Sequence, residues 1–255
     1  MNTLQAIILG IIEGLTEFLP ISSTGHLILA SDVLNIAQTD LVKTFEVAIQ
    51  LGAILAVAVL YFRILITNLK INKRIIVAFL PTAILGLIFY PLIKKLFENN
   101  QVVLWSLFLG GIGLIIFEKF HKHNEQDIIA LENISYKQAF VVGLAQSISM
   151  IPGVSRAAAT IVGGRLIGIS RKTIVEFSFL LAVPTMLAAT ALDVYKNYQA
   201  FNGSDFVLFF AGFVASFITA IVAVKFFLSF IQNHDFKWFG VYRIILALMF
   251  WFLIL

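Results

Sequence analysis

The chain has 255 residues, 60% of them hydrophobic and only 13% charged, with a mean hydropathy of +0.97. Soluble domains average roughly 45–50% apolar and about 25% charged residues, so this composition excludes a water-soluble globule and implies an integral membrane protein. The net charge of +4 would hint at nucleic acid in a soluble protein, but here Lys and Arg fall mostly between apolar runs, as loops facing an anionic leaflet require, and no nucleic-acid partner is expected.

The first apolar segment, 3–34, carries no basic n-region, contains Glu13 and Glu17 and lacks a small-residue cleavage site. It is therefore expected to belong to the mature fold rather than to a secretory signal. It is interrupted by "LPISSTGH". Apolar runs of spanning length, about 20 residues each, follow at approximately 43–66, 75–93 and 101–120. The Gly-rich "LGGIGL" at 109–114 lies inside the third and reads as close helix packing, not a nucleotide loop. The polar connection from Glu118 to Gln138 is too short to bury a core. A second broken segment, 138–168, carries "IPGVSRAAAT", and further runs occupy approximately 173–195, 206–232 and 238–255. His121, His123 and His234 fall in polar connections and read as solvated.

The broken segments fail as ordinary spans. A proline drives the residue before it out of the helical region and removes a backbone donor, while neighbouring Ser, Thr and Gly favour turns and caps. Each segment then makes two short helices, too short to cross a ~30 Å core, and a re-entrant hairpin is the natural arrangement. The surroundings of the two breaks are alike. "ILGIIEGLTEFLPISS" and "VVGLAQSISMIPGVSR" align Gly10 with Gly143 and Glu13 with Gln146, given a one-residue gap before the proline. "KTFEVAIQLGAILA" and "KTIVEFSFLLAVPTMLA" both place a glutamate, Glu46 or Glu176, near the start of the next span. This is a weak internal duplication, and with three spans per half the second copy enters inverted. The expected fold is an all-α polytopic membrane protein forming one integral membrane domain over 1–255. Its repeat halves are approximately 1–120 and 136–255, with about six full transmembrane helices plus two re-entrant helical hairpins.

Loop charges give an orientation. One side holds Arg63, Lys70, Lys73, Arg74, Lys119, Lys122, Lys137, Arg171, Lys172 and Lys237, and the other Lys43, Lys94, Lys95 and Lys196. Ten against four makes the richer side cytoplasmic and opens the first hairpin to the outside.

The chain has no cysteine, so any chemistry must use oxygen or histidine. An ionisable group at mid-membrane costs about 2.5–3.5 kcal/mol even on the lenient insertion scale, which makes Glu13, Glu17 and Arg156 functional candidates. Glu13 and Glu17, four apart, share a helix face and could hold one divalent cation. Half-helices starting near Thr24 and Arg156 would aim free N–H groups and positive dipole ends into the breaks, and arginine adds a forked donor suited to phosphate. The combination describes a site for a metal-bridged phosphate or pyrophosphate. Blander roles stand beside it: Glu13 and Glu17 as interface residues, Ser22, Ser23 and Thr24 as caps, His26 as a buried neutral imidazole, Arg156 as structural glue. For Glu46, Glu176, Lys225 and Arg243, cavity lining and helix pairing are not separable.

"EGLTEFLPISSTGHL" and "PGVSRAAATIVGG", with "TFEVAIQLGAILAV" and "EFSFLLAVPTMLAATALD", closely resemble the undecaprenyl-diphosphate phosphatases of bacteria, the bacitracin-resistance protein family. One departure is Ala157, where the family commonly has serine. The resemblance implies metal-assisted hydrolysis of a C55 isoprenoid diphosphate to its monophosphate, recycling the lipid carrier for peptidoglycan and other envelope polymers, and bacitracin resistance. It implies a bacterial plasma-membrane location with the site opening to the outer face. Carried onto this chain, Glu13 and Glu17 hold a divalent ion, Mg2+ or Ca2+, and serve acid–base chemistry. Ser23 is the candidate nucleophile, activated by His26 or Glu17, with Ser22 and Thr24 binding phosphate. Arg156, Ser155 and Thr160 clamp the diphosphate. Direct attack by metal-bound water is equally open, with Ser23 then only orienting substrate. The partners expected are the isoprenoid diphosphate lipid and membrane lipids, with a homodimer compatible. The alternative class is a transporter or flippase for a phosphorylated substrate, in which Glu13 and Glu17 couple to ions.

Overall fold

The structure, a computed structural model, describes residues 1–37, 39–97, 99–121, 130–197 and 206–254. His123 and Lys122 lie outside them. The described chain is helical: α1 (Thr3–Thr16), α2 (Ser23–Val33), α3 (Asp40–Leu60), α4 (Phe62–Thr67), α5 (Leu69–Ile88), α6 (Tyr90–Phe97), α7 (Asn100–Phe120), α8 (Tyr136–Ser147), α9 (Arg156–Leu166), α10 (Arg171–Asn197), α11 (Phe206–Asn233) and α12 (Lys237–Ile254). Five helices, α3, α5, α7, α10 and α11, are long and apolar enough to span a membrane. The sixth expected span is α12, whose 18 residues lie within the usual range of about 17–25.

Two spans differ in extent from the hydropathy reading. The run at 43–66 breaks at Tyr61, because α4 carries Arg63 and leaves Phe62 and Ile66 exposed instead of continuing into the core. The run at 75–93 begins earlier, at Leu69, where the Asn68 side chain accepts from the Ile71 N–H at 3.2 Å. It stops at Ile88 because Pro91 starts a separate helix, α6, in whose first turn a missing N–H costs nothing.

Both broken segments form hairpins whose ends meet. In the first, Asn2 caps α1 in a reciprocal capping box with Gln5, and Gln5 Nε2 also donates to the Leu34 carbonyl at the end of α2, at 3.1 Å. In the second, Ser135 and Gln138 form the same box, and Gln138 Nε2 donates to the Ile167 carbonyl at 3.0 Å. One glutamine thus caps one helix and closes the mouth of each hairpin, so the chain leaves where it entered. At about 1.5 Å per residue the longest of these four helices, α1, reaches only about 21 Å, short of a ~30 Å core.

These contacts also fix the repeat register. Asn2 and Ser135, Gln5 and Gln138, Ser22 and Ser155, Leu34 and Ile167 all stand 133 residues apart. The one-residue gap inferred from the prolines is absent: the equivalent feature is not the proline but the serine at positive φ, 70° at Ser22 and 74° at Ser155, that caps the second helix of each hairpin. Pro20 stands opposite Gly153, and Pro152 opposite Leu19.

The halves interlock by exchange. α1 packs on α11 and α8 on α5, while α3 pairs with α10 and α7 with α12. Each partnership maps onto itself or onto its counterpart when the halves are swapped, as a pseudo-two-fold requires, and the three spans between hairpins invert the second copy. Close approach needs glycine at both exchange contacts: a Cβ at Gly10 would overlap the Gly212 carbonyl and one at Gly143 the Ala78 carbonyl. Backbone cannot yield as a side-chain tip does. Gly143→Ala is expected to cost about 1–3 kcal/mol, read as a lower melting temperature in detergent, whereas Gly113→Ala, where a Cβ meets nothing within 4 Å, should melt like the parent chain.

Candidate active site between two hairpin breaks

The breaks bring two helix starts together. The Ser22 hydroxyl accepts from the Gly25 N–H at 3.4 Å and the Ser155 hydroxyl from the Ala158 N–H at 3.2 Å, so α2 begins at Ser23 and α9 at Arg156. A serine at positive φ stores about 1–3 kcal/mol of strain, which a surrounding structure maintains at sites of function. Here it turns the chain sharply, and the next residues, Ser23 and Arg156, both line the space between the breaks. Ser155 also donates to the Leu19 carbonyl at 3.4 Å, linking one break to the other.

A cavity of about 170 Å3 lies between them, lined by Glu17, Ser22, Ser23, Thr24, Ser155 and Arg156. Glu17, 8% exposed, joins the halves. Its Oε2 accepts from Ser23 Oγ at 2.6 Å, and its Oε1 pairs with Arg156 Nη2 at 3.3 Å and Nε at 3.4 Å. A short O–H···O bond to a carboxylate is the strong, charge-assisted kind and points the Ser23 hydroxyl proton at Glu17. Arg156 is held from behind: Nη1 donates to the Ser178 carbonyl at 2.9 Å and to Ser178 Oγ at 3.3 Å, and its guanidinium lies 5.7 Å from the centre of the Phe18 ring.

Other expected residues lie outside the cavity lining. Thr160 Oγ1 reaches the Arg156 and Ala157 carbonyls and Ser178 Oγ, the last at 2.7 Å, so it braces the arginine through Ser178. His26 has both ring nitrogens engaged: Nδ1 lies 2.7 Å from the Ser22 carbonyl and Nε2 2.7 Å from the Tyr242 hydroxyl. A carbonyl only accepts, so Nδ1 carries the proton and neutral Nε2 accepts from Tyr242. Of the two proposed activators of Ser23, Glu17 is the one in hydrogen-bond contact.

Glu13, one turn before Glu17 and 1% exposed, has no hydrogen-bond partner on either carboxylate oxygen. Buried polar groups in native structures are normally satisfied, so two orphaned hard oxygens beside a second carboxylate fit a bound divalent cation. Among the described residues no three of His, Cys, Asp and Glu gather into a metal-holding group. The chain would then supply two carboxylates and leave further positions to phosphate oxygens and water, the usual pattern for Mg2+.

Sequence reasoning missed Gln50 and Thr185, which line the cavity from α3 and α10, as well as Ser178 and Tyr242. Gln50, Ser178 and Thr185 fall inside the stretches that carry the family resemblance, but nothing in the spacing of these four residues marks any of them singly as part of the site. Of the residues left undecided, Lys225 is exposed on α11, and Glu46 and Glu176 are half-buried without lining the cavity. His234 is exposed, with Nδ1 near the Phe230 carbonyl, and His121 stacks on Phe117.

The family model described as bacitracin resistance protein BacA matches residues 6–249. The undecaprenyl-diphosphatase of Sulfurihydrogenibium sp. (strain YO3AOP1) is 56% identical over 98% of this chain and 99% of its own. That of Aquifex aeolicus is 51% identical over 98% of both chains, and that of Methanococcus aeolicus 45% identical over 98% of this chain and 97% of its own. With a family model covering nearly the whole length and relatives this similar end to end, the chain belongs to the bacitracin resistance protein BacA family.

Proposed function

We propose that this protein hydrolyses undecaprenyl diphosphate to undecaprenyl phosphate and inorganic phosphate, returning the lipid carrier to peptidoglycan and envelope synthesis and conferring bacitracin resistance. The observation that carries the reading is the Ser23–Glu17–Arg156 array, which joins a hydroxyl, a base and a phosphate clamp from two hairpins around one cavity. As Ser23 Oγ attacks the terminal phosphorus, its proton passes to Glu17 and the bond to the bridging oxygen breaks. Arg156 and the starts of α2 and α9 stabilise the charge that develops. Glu17 gives that proton up to the departing phosphate or to solvent, and water then cleaves the phosphoserine with Glu17 again as base, restoring the Ser23 hydroxyl and releasing inorganic phosphate. In the direct alternative, water attacks in place of Ser23 and the hydroxyl orients the phosphoryl group. Glu13 and Glu17 would hold Mg2+ or Ca2+, which when bound neutralises diphosphate charge.

The cavity is reached by Phe97 of α6 and by Met186 and Ala189 in the later half of α10. These lie toward the side with four loop lysines, which supports a site opening to the outer face of the plasma membrane. The test is phosphate release by the purified protein in detergent from a long-chain isoprenoid diphosphate. Detergent abolishes sidedness, so a transporter releases none. EDTA is expected to lower the rate at least about tenfold, with recovery on adding Mg2+ or Ca2+. Ser23→Ala separates the two routes: loss to background marks the serine as nucleophile, and a residual rate within about 100-fold of the parent marks direct attack by water.

A further inference from the structure

Arg243 lies in α12, far in sequence from both motifs, and is 0% exposed. All five of its N–H donors rest on backbone carbonyls. Nη1 donates to Pro20 at 3.3 Å and Val154 at 2.9 Å, Nη2 to Gly153 and Ser106 at 2.9 Å each, and Nε to Leu107 at 3.4 Å. Pro20 belongs to the first break, Gly153 and Val154 to the second, and Ser106 and Leu107 to α7. The packing of α7 and α12 makes room for the group, since a Cβ at Gly110 would overlap Arg243 Nη2. None of its partners is a carboxylate, so the contacts do not serve to neutralise its charge. At Pro20, Gly153 and Val154 they hold irregular backbone between helices, at a depth where water cannot satisfy it, and at Ser106 and Leu107 they anchor the guanidinium to α7.

We infer that Arg243 is the positioning residue that holds the two hairpin breaks in register, so that Ser23 and Glu17 of one half face Arg156 of the other across a single cavity. The break carbonyls it binds sit one or two residues before the strained serines that launch α2 and α9. Moving either break by an ångström displaces a reacting group. Only a planar fork with five donors reaches all three elements together, and a lysine ammonium, three donors on one atom, keeps the charge but cannot bridge them. The kinetic consequence rests on the phosphatase reading above.

The test uses the full chain purified in detergent, with Arg243→Lys, Gly110→Ala and, as control, Gly113→Ala. Each is assayed for phosphate release from a long-chain isoprenoid diphosphate. In parallel, each is combined with Ile21→Cys, a buried site beside Pro20 in a chain without cysteine, and the rate of thiol modification by a maleimide is measured. Arg243→Lys is expected to lower kcat about 30-fold with KM within about threefold, the size of loss that an ångström-scale misplacement produces. Its Ile21→Cys thiol should react about tenfold faster while the protein still elutes as folded. Gly110→Ala, which displaces the guanidinium without touching either break, should shift both readings in the same direction, and Gly113→Ala neither. A kcat within threefold of the parent, or unchanged thiol reactivity in Arg243→Lys, overturns the assignment. If the parent chain releases no phosphate, the phosphatase reading falls and thiol reactivity alone decides the positioning role. Should Arg243→Lys not fold, Gly110→Ala carries the same two readings.

Discussion

Glu17→Gln is expected to reduce kcat by about 10^3–10^4, the upper range for loss of a general base. The substitution preserves shape but replaces the acceptor of the Ser23 proton with an amide that takes no proton at working pH. It also leaves Arg156 buried without its carboxylate partner, and removing one member of a buried pair costs about 3–5 kcal/mol. A lowered melting temperature should therefore accompany the lost turnover. Phosphate release by folded Glu17→Gln protein within tenfold of the parent would remove Glu17 from the proton path. Because the short Ser23–Glu17 bond is 2.6 Å, the same conclusion would then apply to the activation of Ser23.

Arg156→Lys carries the second large effect, an expected fall in kcat/KM of about 10^2–10^3. The guanidinium bridges Glu17 on one side and the Ser178 carbonyl and hydroxyl on the other. Lysine supplies the charge from a single atom and loses the fork that matches phosphate oxygens. With Arg156→Ala both the charge and the brace disappear, and the loss should reach at least 10^3, in line with removing a preorganised donor from a site of developing charge. Ser178→Ala tests the brace alone. It leaves the Ser178 carbonyl contact and removes the hydroxyl's contacts with Arg156 Nη1 and Thr160, so a loss of about threefold to tenfold is expected, well short of that for the arginine. A Ser178→Ala loss as large as that of Arg156→Ala would mean that the hydroxyl touches substrate.

Much of this arrangement is legible in the chain itself. A bilayer forbids unsatisfied backbone and unpaired charge, so Pro20, Ser22 and Glu17 in one apolar run and Pro152, Ser155 and Arg156 in another mark two breaks and one polar site. The same constraint gives the helical class, the spans and the hairpins, because segments too short to cross must turn back. Phosphate chemistry is legible too, since acids, hydroxyls, an arginine and helix starts in apolar surroundings have few other uses.

What the sequence does not determine is which of these groups touch. Glu17 could have paired with any cation, and His26 stands nearer to Ser23 in sequence than Glu17 does. In the structure Ser23 donates its hydrogen bond to Glu17, and His26 turns toward Tyr242. The register of Gly10 with Gly143 and Glu13 with Gln146 is legible, but the one-residue gap before the proline is not real, because proline is the visible mark of a break whereas the geometry the halves share is a serine at positive φ, a property of backbone and not of composition. Arg243 shows the limit most clearly: its charge inside an apolar run signals importance, but its role depends on five carbonyls from three separate elements. Local sequence sets how each segment must satisfy its own backbone in lipid, while contacts between residues more than a hundred positions apart exist only once the halves have interlocked, and only the tertiary structure decides them.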